Sequence, residues 1–312
     1  MRPSISSKAF SGITLLVLLA ACLSVRGEDF VDDAAIKASF EKQLGEQFQA
    51  GGLPSGSVTV EQLHRAAKAD LALPPAPEPA SGESAFARAR AATLILGHLY
   101  LCGKCERYHA NLSGGILLSP DGLALTNYHV LDFREAVVFG AMSADGQVYP
   151  IDEVLAASKA DDLALVRLRD AGNLPYVPIA GKLPASGDEL FVISHPDGHF
   201  HTLTRGHLAR KYLTAKERAP RLQITADFAK GSSGSGIFNL HGELIGLAVS
   251  TNSIYYTEHE ERKDNLQMVV KSGVPVEALL RLLGTAGRSE EVKRERQKVK
   301  GLSHEERPRL DR

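Results

Sequence analysis

The segment Ser119-Pro120-Asp121-Gly122-Leu123-Ala124-Leu125-Thr126-Asn127-Tyr128-His129-Val130 is a turn followed by an apolar strand that ends in a histidine. Proline presets φ early in a turn and glycine supplies a positive φ after it. Pro120-Asp121-Gly122 therefore reverses the chain, and Leu123 to Thr126 leaves as the second strand of a hairpin. Segments of the same kind recur on both sides: Gly114 to Leu118, Ala136 to Phe139, Leu163 to Leu168, Leu190 to Ile193, Leu222 to Thr225, Leu244 to Val249 and Leu266 to Val270, with Leu240-His241-Gly242 as a further turn. Short strands at this spacing predict a mostly β protein, an antiparallel barrel or sandwich rather than a parallel α/β sheet.

Helical segments are expected at both ends of the strand-rich region. Pro275 to Leu283 starts with proline and sets Val276, Leu279, Leu280 and Leu283 on one face, the pattern of a closing amphipathic helix. Residues 28–73 form an acidic N-terminal extension with two short helical pieces, one carrying Phe30, Val31, Ile36, Phe40 and Leu44, the other running from Val58 to Leu71. Residues 74–83 lie in a proline-rich run that cannot continue a helix and is expected to be a linker to a domain spanning 84–285. Residues 286–312 are charged with almost nothing apolar and are expected to be a disordered tail.

The chain has 312 residues, 44% of them hydrophobic, enough for one large domain or two small ones with a substantial core. Lys plus Arg number 36 against 37 Asp plus Glu, and the resulting net charge of -1 gives no basis for a nucleic-acid partner. No run reaches the roughly eighteen apolar residues of a spanning helix, which excludes a polytopic membrane protein. Arg2 and Lys8 precede an apolar run from Ile13 to Ala21 that matches the core of an export signal. The run ends in Leu19-Ala20-Ala21-Cys22, similar to the lipobox of bacterial lipoproteins, so residues 1–21 are read as a signal peptide and Cys22 as the lipidated residue that attaches the protein to a membrane. Ordinary cleavage after Gly27 is the alternative. Either product lies outside the cytoplasm, in the periplasm or beyond, where disulfides persist.

Three local patterns carry chemistry: the strand ending in His129; Asp161-Asp162-Leu163-Ala164-Leu165-Val166, which sets a carboxylate at the mouth of a buried strand; and Lys230-Gly231-Ser232-Ser233-Gly234-Ser235-Gly236, a glycine-rich turn around serines. A serine hydroxyl is a poor nucleophile at neutral pH. It needs an imidazole to take its proton, and the imidazole needs a carboxylate to fix its tautomer and stabilise its charged form. His129, Asp162 and Ser233 can supply those roles. A tight glycine turn can also aim backbone N–H groups at the oxyanion of acyl transfer, and Gly231 and Ser233 are the candidate donors.

In this order and at these separations, TNYHV, DDLALVRL and GSSGSGIFN resemble the trypsin-like serine peptidases of bacteria, particularly the HtrA and V8 types, over roughly residues 90–284. The resemblance implies two six-stranded β-barrels with the site between them. His129 would be the general base, Asp162 the orienting acid and Ser233 the nucleophile of an exported endopeptidase that cleaves protein or peptide substrates through an acyl-enzyme, without a cofactor. The alternative is a catalytically silent peptide-binding protein on the same fold. Several positions depart from the family pattern: Ser232 stands where Asp or Asn usually precedes the nucleophile, and Gly236 stands where proline usually follows. The strand Leu244 to Ser250 lacks the histidine of the V8 glutamate pocket. Asp227 falls where trypsin's pocket carboxylate lies and favours a basic residue at the cleavage site only weakly; Ser250 is the pocket's other candidate. No PDZ module is expected after residue 284, and the oligomeric state stays open.

Cys102-Gly103-Lys104-Cys105, followed by His109, fits three chemistries: a short-loop disulfide, a metal site using Cys102, Cys105 and His109, or a thiol redox pair. The exported setting favours the disulfide, and no metal is expected. His195, His199 and His201 form a second cluster, expected on a loop near the cleft and weighed as further metal ligands.

Overall fold

The computed structural model describes residues 30–259 and 262–284. The signal segment with Cys22 and the tail 286–312 lie outside the described residues. Twelve strands form two closed barrels in which every neighbouring pair is antiparallel. The first closes in the order β1 (Thr93–Leu101), β2 (Tyr108–Leu117), β3 (Leu123–Thr126), β6 (Leu163–Leu168), β5 (Val148–Ser158) and β4 (Val138–Met142). The second closes as β10 (Gly236–Asn239), β11 (Leu244–His259), β12 (Arg262–Pro275), β9 (Pro220–Ile224), β8 (Thr202–Leu213) and β7 (Glu189–Ser194). The mostly β expectation and the two barrels both hold.

Period-2 alternation explains why the first barrel needs a cover. Side chains of a strand alternate between its faces. On β1, Leu94 and Leu96 enter the main core, while Ile95 and Leu99 point the other way, into a second cluster with Phe40 and Leu44. Those two residues belong to α1 (Asp33–Gln49), and both are fully buried. Asp32 caps α1 by accepting from the Ala35 N–H at 2.9 Å. The N-terminal extension is therefore built into the barrel wall.

α2 (Gly56–Arg65) buries Val60 and Leu63 in the main core. It stops at Arg65, short of the expected Leu71, because Ala66 is extended with ψ 140. The segment that follows is tied down along its length. Ala67 accepts from the Ala157 N–H, the Ala69 N–H donates to the Leu282 carbonyl, and the Tyr176 hydroxyl donates to the Pro75 carbonyl at 3.0 Å. An extended proline-rich chain has its backbone groups free for such partners. Residues 66–75 accordingly strap the first barrel to the closing helix α5 (Val276–Leu282), whose Leu279 and Leu282 join the main core. A short α3 (Ala85–Ala91), capped by Ser84, leads into β1.

The main core also joins the barrels. Leu94, Ile116 and Leu125 of the first pack with Phe191, Ile193, Phe238 and Leu247 of the second.

Candidate active site

β3 is fully buried and hands the chain to a single helical turn, α4 (Tyr128–Leu131), that exposes His129 while Tyr128, Val130 and Leu131 go inward. Asp162 sits in the turn before β6 with φ 62, a left-handed conformation that aspartate tolerates better than most residues. Its backbone is held by the Asn127 side-chain amide, which donates to the Asp162 carbonyl at 2.9 Å. Both Asp162 oxygens then meet His129: the His129 backbone N–H donates to Oδ1 at 3.0 Å, and Nδ1 lies 2.8 Å from Oδ2. With Nδ1 carrying the proton, Nε2 is an acceptor, and Ser233 Oγ lies 2.9 Å from it. The sequence-predicted trio thus meets at one place, with the imidazole half exposed at 50% and the carboxylate at 19%.

The serine turn is shaped by contacts from both barrels. Gly231 has φ 90, and a Cβ there would come within 2.6 Å of the His195 carbonyl oxygen, so only glycine fits. The Asp197 N–H donates to the Lys230 carbonyl at 2.6 Å. In a trans peptide C=O and N–H point in opposite directions, so this bond turns the Gly231 N–H away from the 195–198 loop. Among the described residues neither the Gly231 nor the Ser233 N–H has an acceptor. Two backbone donors beside a serine hydroxyl are the arrangement that an acyl-transfer oxyanion requires.

Of the three histidines of the second cluster, His195 and His201 stay together with rings 5.2 Å apart, while His199 turns to Asp33. His195 is buried, with Nε2 donating to the Leu94 carbonyl at 3.0 Å and Nδ1 accepting the His201 N–H at 3.1 Å. Both ring nitrogens are occupied, which leaves none for a metal. Burial, reinforced by neighbouring His201, pushes its pKa down to about 3, so the ring is neutral and structural. His201 is likewise lowered to about 4 by burial. His199 is exposed and lies 3.3 Å from Asp33 at the start of α1.

The pocket candidates are placed differently from each other. Asp227 is 81% exposed on its side chain and pairs at 2.7 Å with Lys271, which is only 12% exposed. Ser250 is exposed on β11, opposite Ser272 of β12. Lys271 was not singled out from sequence because it sits in a strand whose pairing partner, Thr251, becomes clear only from the register. A separate cavity of about 400 Å³ between β8, β9 and α5 is lined by Lys211, Tyr212, Arg221 and Glu277, and none of the catalytic candidates reaches it.

Cys102 and Cys105 lie in the turn joining β1 to β2. Their Sγ atoms lie 3.4 Å apart. The backbone N–H of Lys104 and the Cys105 thiol both bond to Cys102 sulfur and hold its pKa down at about 7.

Two closed antiparallel barrels, with His129, Asp162 and Ser233 within hydrogen-bonding reach of one another, are an arrangement similar to that of the trypsin-like serine peptidases. Residues 113–247 match the family model of the trypsin-like peptidase domain. A probable serine protease do-like of Buchnera aphidicola is 33% identical over 148 residues, 46% of this chain and 30% of that protein. Serine endoprotease DegS of Escherichia coli K12 is 30% identical over 141 residues, 44% of this chain and 39% of that protein. The chain thus spans about a third of the length of these curated relatives. Among solved structures, an HtrA-type protease AlgW with a decapeptide superimposes with a TM-score of 0.53 at 18% identity, covering 65% of this chain and 66% of that one. The last likeness is one of fold.

Proposed function

We propose that the protein is an exported serine endopeptidase that hydrolyses peptide bonds through an acyl-enzyme. The observation that carries this reading is the continuous line from Asp162 through His129 to Ser233 Oγ, at 2.8 and 2.9 Å. In the proposed reaction Ser233 Oγ attacks the scissile carbonyl while His129 Nε2 takes its proton. Asp162, already bonded to Nδ1–H, stabilises the imidazolium. The N–H groups of Gly231 and Ser233 receive the developing oxyanion. His129 then returns the proton to the leaving amine, and a water repeats the sequence to release the acid.

The half-exposed imidazole is accessible to protein or peptide substrates, and relatives named as serine endoproteases support the same class. The Asp227–Lys271 pair argues against a simple preference for Arg or Lys, because the carboxylate already has a cation. Export, with lipid on Cys22 or ordinary cleavage after Gly27, rests on the N-terminal sequence, and the mass of the mature N-terminus decides between them.

A fluorophosphonate probe tests the catalytic proposal. The folded wild-type protein should be labelled and Ser233→Ala should not. Labelling that survives in Ser233→Ala would move the nucleophile elsewhere, with the buried neighbours Ser232 and Ser235 the first to examine.

A further inference from the structure

At the turn between β1 and β2, three potential metal donors converge that the peptidase chemistry does not use. Cys105 Sγ lies 3.4 Å from Cys102 Sγ and 3.1 Å from His109 Nε2. All three ligand atoms fall within 4.8 Å of one another, the one His/Cys/Asp/Glu cluster of this kind among the described residues. We infer that Cys102, Cys105 and His109 bind a zinc ion. This goes beyond the peptidase reading and does not depend on it.

Tetrahedral zinc with Zn–S about 2.3 Å and Zn–N about 2.0 Å sets S to S at about 3.8 Å and S to N at about 3.5 Å. The two separations at Cys105 are shorter by a few tenths of an ångström. Side-chain rotation on a partly exposed turn can open that gap.

The local backbone brings the two sulfurs together. Gly103 has φ 70, which bends the four residues from Cys102 to Cys105 so that their Sγ atoms lie 3.4 Å apart. His109 is fixed independently. It sits on β2 opposite Tyr100 of β1, and their rings lie 5.7 Å apart. The next residue, Ala110, donates its N–H at 2.9 Å to Glu41 of α1. A rigid strand thus offers one ligand and a tight turn the other two, in Cys-x-x-Cys-x-x-x-His spacing.

Charge balances at the site. Two thiols release their protons to solvent, and two thiolates with a neutral imidazole leave Zn²⁺ with no net charge. The imidazole separates this site from a bare dithiol, which needs only its two sulfurs. Three protein donors leave the fourth position to water. Such an ion would clamp the loop end of the β1–β2 hairpin.

The experiment uses the full chain, purified and kept reduced under nitrogen. Zinc retained after gel filtration should reach one equivalent per chain, and Co²⁺ in its place should give a thiolate charge-transfer band. Cys102→Ser and His109→Ala should each weaken zinc binding in a chelator competition by on the order of 100-fold, with circular dichroism unchanged. The inference is overturned if the reduced protein retains no zinc, if Co²⁺ gives no thiolate band, or if the variants bind as the wild type does. It is also overturned if the protein is purified two hydrogens lighter, with no reactive thiol, and takes up no metal after reduction.

Discussion

The Gly114 N–H of the first barrel donates at 2.8 Å to the carbonyl of Ser233 in the second. A side chain at Gly114 would run into the Ser235 backbone and hydroxyl, so the two chains touch backbone to backbone. The serine turn is thereby positioned by the barrel that carries its histidine. Gly114→Ala should push the turn away. A displacement of about 1 Å costs on the order of 100-fold in turnover, while overpacking costs about 1–3 kcal/mol of stability. Steady-state kinetics beside thermal unfolding would separate the two effects; a fully active variant would mean that the contact positions nothing.

Asp162 accepts from both the His129 backbone and its ring. Asp162→Asn keeps the shape but can offer an N–H to Nδ1, which favours the wrong tautomer. The expected loss is about 10⁴-fold in kcat with KM little changed, measured on a peptide ester or amide.

The N-terminal helix is expected to be indispensable to the fold. Phe40 is fully buried against Ile95, Leu99 and Val138. Phe40→Ala should cost about 3–5 kcal/mol by removing that packing. Chemical denaturation is the check, and a loss below about 1 kcal/mol would return the helix to the role of a detachable arm.

Acid should destabilise the protein well above the carboxylate range. His195 is held neutral with a pKa of about 3 against 6.5 when unfolded, so the unfolded chain binds the extra proton first. Stability is full above pH 6.5 and falls as the pH drops from there toward 3. His195 alone accounts for about 2 kcal/mol between pH 7 and pH 5. His98, lowered to about 4 by burial, acts in the same direction. Urea midpoints across this range should fall for the wild type and fall less for His195→Gln.

The Asp227–Lys271 pair makes a specificity prediction. Asp227→Asn should change turnover of peptides with Arg or Lys before the scissile bond by less than about fivefold, because the exposed carboxylate is already paired with Lys271. Lys271→Met frees the carboxylate and should raise that turnover. A collapse of basic-peptide cleavage in Asp227→Asn would restore the carboxylate as the pocket's determinant.

Strands that alternate cleanly or carry compact apolar runs were legible in the sequence: β3, β6 and β7 fall where the pattern puts them. β1 escaped because its residues Thr93 to Leu99 are buried on both faces, so they do not alternate, and Gly97 and His98 interrupt the apolar run, with α1 covering the outer face. β5 contains Pro150, Asp152 and Glu153, and β8 exposes Arg205, His207 and Arg210, so neither shows a sustained apolar signal. In the outer half of the β11–β12 hairpin the expected strand Leu266 to Val270 falls on β12, while its partner on β11, with Ile254 and Tyr256 exposed, has no burial pattern to read. At the site, nucleophile chemistry is local enough to name His129, Asp162 and Ser233 from short motifs. The support around them is not local: the Asp197 bond to Lys230 spans a 33-residue separation, and the Gly114 bond to Ser233 joins two barrels.

The most direct test of the account is acid-quenched mass spectrometry of the protein mixed with an activated acyl ester. The acyl mass should appear on the peptide containing Ser233 within the first turnover and be absent in Ser233→Ala. An acyl group on another residue, or folded wild-type protein that turns over peptides without ever carrying one, would contradict it.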